Sequence, residues 1–195
     1  MTAEAKVFDY ERVKQLAGEL LDALGLDRTD DNLRDTPRRY ADWWQEFLVY
    51  DPGHTDTAFE SVSADQMVIV ANMGVWSLCS HHLLPFRCSI SIGYITGKQV
   101  LGLSKFARVA HQFAHRPQLQ ELLVKQIADE IARLTGTQNV GVLAVGEHLC
   151  MSARGIKTPA RMINHELRGA FMENDATRHE FLSLCGFYKG LNHEL

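Results

Sequence analysis

A chain of 195 residues is long enough to bury one sizeable core beside a small helical appendage, and too short for two large domains. A hydrophobic share of 46% with 23% charged residues fits a globular protein and excludes a disordered or low-complexity one. The formal net charge of -4 gives no overall basic field for nucleic acid, so any anion site has to be a local cluster of Lys and Arg.

Tyr10 to Leu26 reads as an amphipathic helix, with Val13, Leu16, Ala17, Leu20, Leu21 and Leu24 at helical spacing and Gly25 as a stop. Asp35-Thr36-Pro37 reads as the cap and first turn of a second helix carrying Tyr40, Trp43, Trp44, Phe47 and Leu48. The turn-rich run Asp51 to Asp56 marks the expected boundary, giving a helical region over 1–56 and a second domain over 57–195. Met67 to Val70 and Cys88 to Ile95 read as strands. After Val100 to Leu103, Ser104 is expected to cap a helix bearing Phe106, Val109, Ala110 and Phe113. A further helix is expected over Gln118 to Leu134, a strand over Val140 to Val145, a weaker strand over Met162 to Phe171 and a short helix over Asp175 to Leu184. Strands in hairpin-like succession with helices inserted between them predict an α+β fold with a largely antiparallel sheet.

No apolar run reaches the ~20 residues of a membrane-spanning helix, and the first ten residues carry no signal-peptide pattern, so the cytoplasm is the expected location. Of the four cysteines, Cys88 and Cys185 read as small buried hydrophobes. Cys79 and Cys150 stand beside histidines, in Cys79-Ser80-His81-His82 and His148-Leu149-Cys150. That is metal-site vocabulary: a catalytic zinc takes three protein ligands and keeps a fourth position open for water. Cys79, His82 and Cys150 would supply three, leaving His81 and His148 for acid and base chemistry.

With these stretches in place, the chain resembles the GTP cyclohydrolase I family. The resemblance rests on Asp35-Thr36-Pro37-x-Arg39, Cys79-x-His81-His82, Gly102-Leu103-Ser104-Lys105-x-x-Arg108 and Gln112-Phe113-Ala114-x-Arg116-Pro117-Gln118-x-Gln120-Glu121. It continues through His148-x-Cys150-x-x-x-Arg154-Gly155 and Thr177-Arg178-His179-Glu180-Phe181-Leu182. It implies the tunnelling fold, assembled into a homo-oligomeric ring, commonly a decamer of two pentamers with sites between subunits. The implied reaction takes GTP and water to formate and 7,8-dihydroneopterin triphosphate, the entry to tetrahydrofolate and other pterins.

The resemblance also implies roles. Cys79, His82 and Cys150 would hold Zn2+, with both cysteines as thiolates, and lower the pKa of a bound water to roughly 7 for attack at C8 of the purine. His148 is similar to the family's acid/base for ring opening, His81 to a second proton-transfer group, and Ser104 to a residue contacting the ribose. Gln120 and Glu121 would anchor guanine, although a Gln-Glu pair on a helix is equally at home on a solvated face. Lys105, Arg108 and Arg154 form the expected basic cluster for the triphosphate, Lys105 and Arg108 sharing a helix face. Arg116, next to Pro117, reads as structural.

Two departures stand out. Ser80 occupies a position where the family usually has glutamate, and residues 156–166 replace a Ser/Thr-rich strand. They keep open a cyclohydrolase of the same fold acting on another purine nucleotide. A non-catalytic ring protein binding purines or pterins is the alternative of a different class.

Overall fold

The computed structural model describes residues 8–186, which fall in two compact units, Met1–Asp51 and Pro52–Leu195. In the first, α1 (Tyr10–Ala23) starts at Asp9, whose carboxylate accepts from the Arg12 amide at 3.0 Å and satisfies one of the free N–H groups of the first turn. It runs out at Leu24, and Gly25 follows at φ +73°, a conformation only glycine adopts without cost. α2 (Thr36–Leu48) begins with Pro37 in its first turn, and Asp35 faces Arg39 at 3.7 Å rather than capping the backbone. The two helices are tied by Tyr10 Oη donating to Asp42 at 2.6 Å.

The second unit holds a five-stranded sheet in the order β5-β2-β3-β6-β7, formed by β2 (Met67–Cys79), β3 (Pro85–Ile95), β5 (Pro117–Gln118), β6 (Val140–His148) and β7 (Arg161–Leu167). All pairings are antiparallel except β2 with β5. A separate pair joins β1 (Ala58–Glu60) to β4 (Gln99–Leu101). Helices α3 (Leu103–Ala114), α4 (Gln120–Thr135), α5 (Leu149–Ser152), α6 (Ala170–Glu173) and α7 (Asp175–Leu184) complete it. The α+β class and the largely antiparallel sheet are as expected.

Strand β3 shows why the sheet forms. Phe86, Cys88, Ile90, Ile92 and Tyr94, every second residue, are all 0% exposed and form one core with α3 and α4 through Phe106, Val109, Leu123, Ile127 and Ile131. A smaller second core gathers Leu143, Phe171, Phe181 and Cys185. All four cysteines are free thiols; burial pushes Cys88 up to about 12 and Cys185 up to about 11, so both behave as apolar residues. Among the described residues no helix is long and apolar enough to cross a membrane.

Four expectations need correction. The strand expected over Met162 to Phe171 ends at Leu167, and Phe171 belongs instead to α6, buried in the second core. Strand β2 continues past Val70 to Cys79, through a bulge where Asn72 takes φ 59°, so the Cys79 motif ends a strand rather than following a loop. Helix α3 starts one residue earlier than Ser104, with Gly102 at the cap position, so Ser104 lies inside the first turn and caps nothing. Helix α4 starts at Gln120, because Gln118 pairs as β5 beside Cys79.

Candidate metal centre and active site

The centre is built where three strands end together. Between β2 and β3 the chain turns back tightly: the Cys79 amide donates to Leu84 O at 2.9 Å, and the His82 and Leu83 amides donate to Cys79 O at 3.2 and 2.8 Å. Leu83 sits at φ 52°, a left-handed conformation costing a non-glycine residue roughly 1–2 kcal/mol, which the turn imposes. The return places His82 Nδ1 3.7 Å and His81 Nδ1 3.9 Å from Cys79 Sγ. Across the ladder Phe86 pairs with His148, the last residue of β6, and one-turn helix α5 then carries Cys150 toward Cys79.

The ligand atoms of Cys79, His82 and Cys150 all lie within 4.8 Å of one another. Bonds of about 2.3 Å to sulfur and about 2.1 Å to nitrogen at a tetrahedral metal call for an S···N separation of roughly 3.6 Å, close to the separation of Cys79 Sγ from His82 Nδ1. Two sulfurs and an imidazole suit a borderline or soft divalent cation rather than calcium or magnesium. Burial, then the neighbouring Cys79, raises the Cys150 pKa, while Arg154 partly opposes the rise. A cation here would reverse that balance and hold both sulfurs as thiolates.

Arg154 Nη1 stands 2.5 Å from His82 Nε2. A guanidinium can only donate, so in this arrangement Nε2 accepts and the ring hydrogen sits on Nδ1; a cation held by Nδ1 would shift that hydrogen to Nε2 and part it from Arg154. His81 is exposed on the same turn.

His148 is held more firmly. Its ring stacks on Phe86 at 4.3 Å with 9° between planes, and its Nε2 lies 2.9 Å from Gln120 Oε1. Burial lowers its pKa and Glu121 partly restores it, which leaves the ring neutral and able to take a proton at ordinary pH. Glu121 is exposed in the first turn of α4. Gln120 is only 1% exposed, so the solvated-face reading does not apply to it.

Of the other expected site residues, Ser104 is exposed at the start of α3. Lys105 and Arg108 share a face of α3, as their spacing predicts, and donate to the carbonyls of His54 and Pro52, each at 2.5 Å. The basic trio is thus divided in its contacts: Arg154 meets the metal group, while Lys105 and Arg108 hold the 52–54 segment. Arg116 donates to Gln112 O at 2.7 Å and lies 5.3 Å over the Phe113 ring, the structural part read from its neighbour proline.

Sequence reasoning assigned no part to Phe86, Gly146 or Asn164. Phe86 fixes the plane of His148. A Cβ at Gly146 would collide with Gln120 Oε1 and the Cys88 sulfur, so glycine leaves the room that Gln120 fills. Asn164 accepts from Gln120 Nε2 at 2.7 Å. The available signal was an asparagine, a residue depleted in strands, within an otherwise plausible strand.

The residues that make this geometry fall inside a match to the model of one family, described as GTP cyclohydrolase I, which covers residues 13–186. GTP cyclohydrolase 1 of Sulfurihydrogenibium sp. is 40% identical over 185 residues, covering 94% of this chain and 98% of that protein. The Aquifex aeolicus protein of the same name is 40% identical over 177 residues, covering 90% of this chain and 96% of that protein. A third, from Pseudoalteromonas atlantica, is 43% identical over 174 residues, with 86% and 94% covered. Matches of that reach, at both the family and the individual level, mean that this chain belongs to the GTP cyclohydrolase I family.

Proposed function

We propose that this chain is a zinc-dependent GTP cyclohydrolase I, which opens the purine imidazole ring of GTP at C8 and yields formate and 7,8-dihydroneopterin triphosphate. The observation that carries the reading is the convergence of Cys79, His82 and Cys150 beside a neutral, oriented His148. Zn2+ bound by the three would act as a Lewis acid and supply a water-derived nucleophile near neutral pH.

The chain's own residues do the rest. His148 exchanges a proton with the purine nitrogen next to C8, so that charge does not accumulate as the ring opens. His81, exposed on the metal turn, serves later proton transfers near the ribose, and Ser104 contacts the ribose hydroxyls. Glu121, a carboxylate near His148, accepts from the guanine N–H groups, and the buried Gln120 keeps the neighbouring wall fixed. Lys105, Arg108 and Arg154 take the triphosphate; the carbonyl partners of the first two carry no counter-charge, so their positive field stays available to an anion. We assign the catalytic domain to residues 57–195, in a tunnelling fold assembled as a ring of subunits that share sites, acting in the cytoplasm.

Purified protein supplied with zinc and GTP is expected to release formate in step with a pterin triphosphate. Absence of formate from zinc-loaded protein with every guanine nucleotide tried would sink the reading. A second reading, the same ring opening on another purine nucleotide, is favoured by β7, where Asn164 reaches Gln120 in place of a Ser/Thr-rich strand. Rates on GTP, dGTP, GDP, ITP and ATP separate the two.

A further inference from the structure

The amide beside His148 is oriented from its far side by a residue to which the chemistry above gives no part. Gln120 Nε2 faces Asn164 Oδ1 at 2.7 Å and Met162 O at 3.0 Å, with Ala144 O further off at 3.5 Å. Backbone carbonyls only accept, so the amide end among them is the NH2, and the end facing His148 is the oxygen. An oxygen 2.9 Å from His148 Nε2 requires a hydrogen on that nitrogen. In the neutral ring Nδ1 is then bare and becomes the atom that exchanges a proton.

Asn164 is placed for this by strand pairing. It lies opposite Ala144 on β6, two rungs from Gly146 opposite Met162, and the small residues of β6 leave a slot that the Gln120 side chain enters. The Asn164 amide also closes back on Gln120, its Nδ2 donating to Gln120 O at 3.4 Å. Gln120 is therefore gripped by side chain and main chain together. Without Asn164, one amide hydrogen keeps only the long contact to Ala144 O, in a pocket where the residue is 1% exposed.

We infer that Asn164 is a positioning residue: by holding the Gln120 amide with its oxygen toward His148, it keeps the ring in the Nε2–H tautomer and assigns proton exchange to Nδ1. The inference rests on the proposal that His148 is the proton-exchanging group. It ties the 156–166 departure to the reacting centre through two hydrogen bonds, Asn164 to Gln120 and Gln120 to His148.

The test is ring 15N chemical shifts of the full-length protein labelled in histidine, at a pH of about 8.5, where rings of ordinary pKa near 6.5 are neutral. The His148 signals are identified by their loss in His148→Gln. Wild type is expected to show a protonated Nε2 and a bare Nδ1. Asn164→Leu is expected to mix the two tautomers and to lower kcat on GTP about tenfold, with KM within about twofold. Asn164→Asp, which keeps an acceptor oxygen, is expected to restore the wild-type tautomer. If the leucine variant does not fold, Asn164→Ser, too short to reach Gln120, takes its place. Wild type protonated on Nδ1 overturns the inference, and so does a leucine or serine variant that keeps the wild-type tautomer, whether or not its kcat falls. The shifts need no substrate: a wild type that releases no formate removes the GTP reading, while the tautomer pattern still decides what Asn164 does.

Discussion

In the helical unit Leu16, Leu20, Leu24, Tyr40, Leu48 and Val49 remain 38–64% exposed, whereas β3 alone buries five successive inward side chains to 0%. The helices form because each carries its own signal in consecutive residues: an apolar stripe and a defined start. The sheet forms because residues far apart in the chain complete one another, β3 against β6 and both against α3 and α4. The candidate metal ligands gather on the second kind of structure. Cys79, Phe86 and His148 each stand on a strand whose position is fixed by its neighbours, and His82 and Cys150 follow within three residues of a strand end. A packed ladder holds side chains to the fractions of an ångström that catalysis needs.

The contrast can be broken most severely at the strand ends. Cys150→Ser is expected to abolish both metal retention and formate release. His148→Ala is expected to cost 10²–10⁴-fold in kcat while metal content persists. Metal analysis paired with a formate assay on the two proteins checks the division, and loss of metal from the His148 variant would contradict it. A smaller effect separates the two units themselves. Phe181→Ala, in the second core of the sheet unit, is expected to destabilise by about 3–5 kcal/mol. Leu20→Gln on α1 should change stability by no more than about 0.5 kcal/mol. Thermal melting of both variants reads this, and equal shifts would erase the distinction drawn here.

The smallest expected effect is one of pH. Burial, and then the neighbouring His115, lowers the His111 pKa on α3. As pH falls below about 6.5, the unfolded chain takes up a proton that the folded chain refuses. Stability is therefore full at neutral pH and declines through the window between 6.5 and the lower folded value. Tm should fall by more in wild type than in His111→Asn between pH about 7.5 and about 5.5; parallel declines would show that this ring is not responsible.

How much of this was legible follows the same division. Helices α1, α2, α4 and α7 were readable to within a few residues because their periodicity is local. Strand β5 was not, since two residues pairing in parallel with a strand nearly forty positions earlier leave no pattern. The full length of β2 was hidden by Asn72 and Gly74, both poor strand formers, at and beside the bulge. Ser104 was misread as a cap because serine is a good one; the chain uses Gly102 instead and leaves the hydroxyl exposed. In the centre, Cys79, His82 and Cys150 were readable together as a Cys/His metal pattern, and the resemblance pointed to the same three. The physical reason that Cys150 meets the other two, the Phe86–His148 rung, exists only once β3 and β6 are paired.

That rung also determines where the chain can change length. Side chains alternate faces along a strand, so one residue inserted into or deleted from β6 before His148 would turn its ring to the opposite side of the sheet and carry Cys150 out of reach of Cys79. The same holds for β3 between Phe86 and Ile95, whose register with β6 is unbroken from Phe86 to Tyr94. Insertions are tolerable only where no ladder counts residues, as at 97–98, 136–138 and 155–160. Viable length variants of this protein should concentrate in those three windows, with the paired segments between them constant in length.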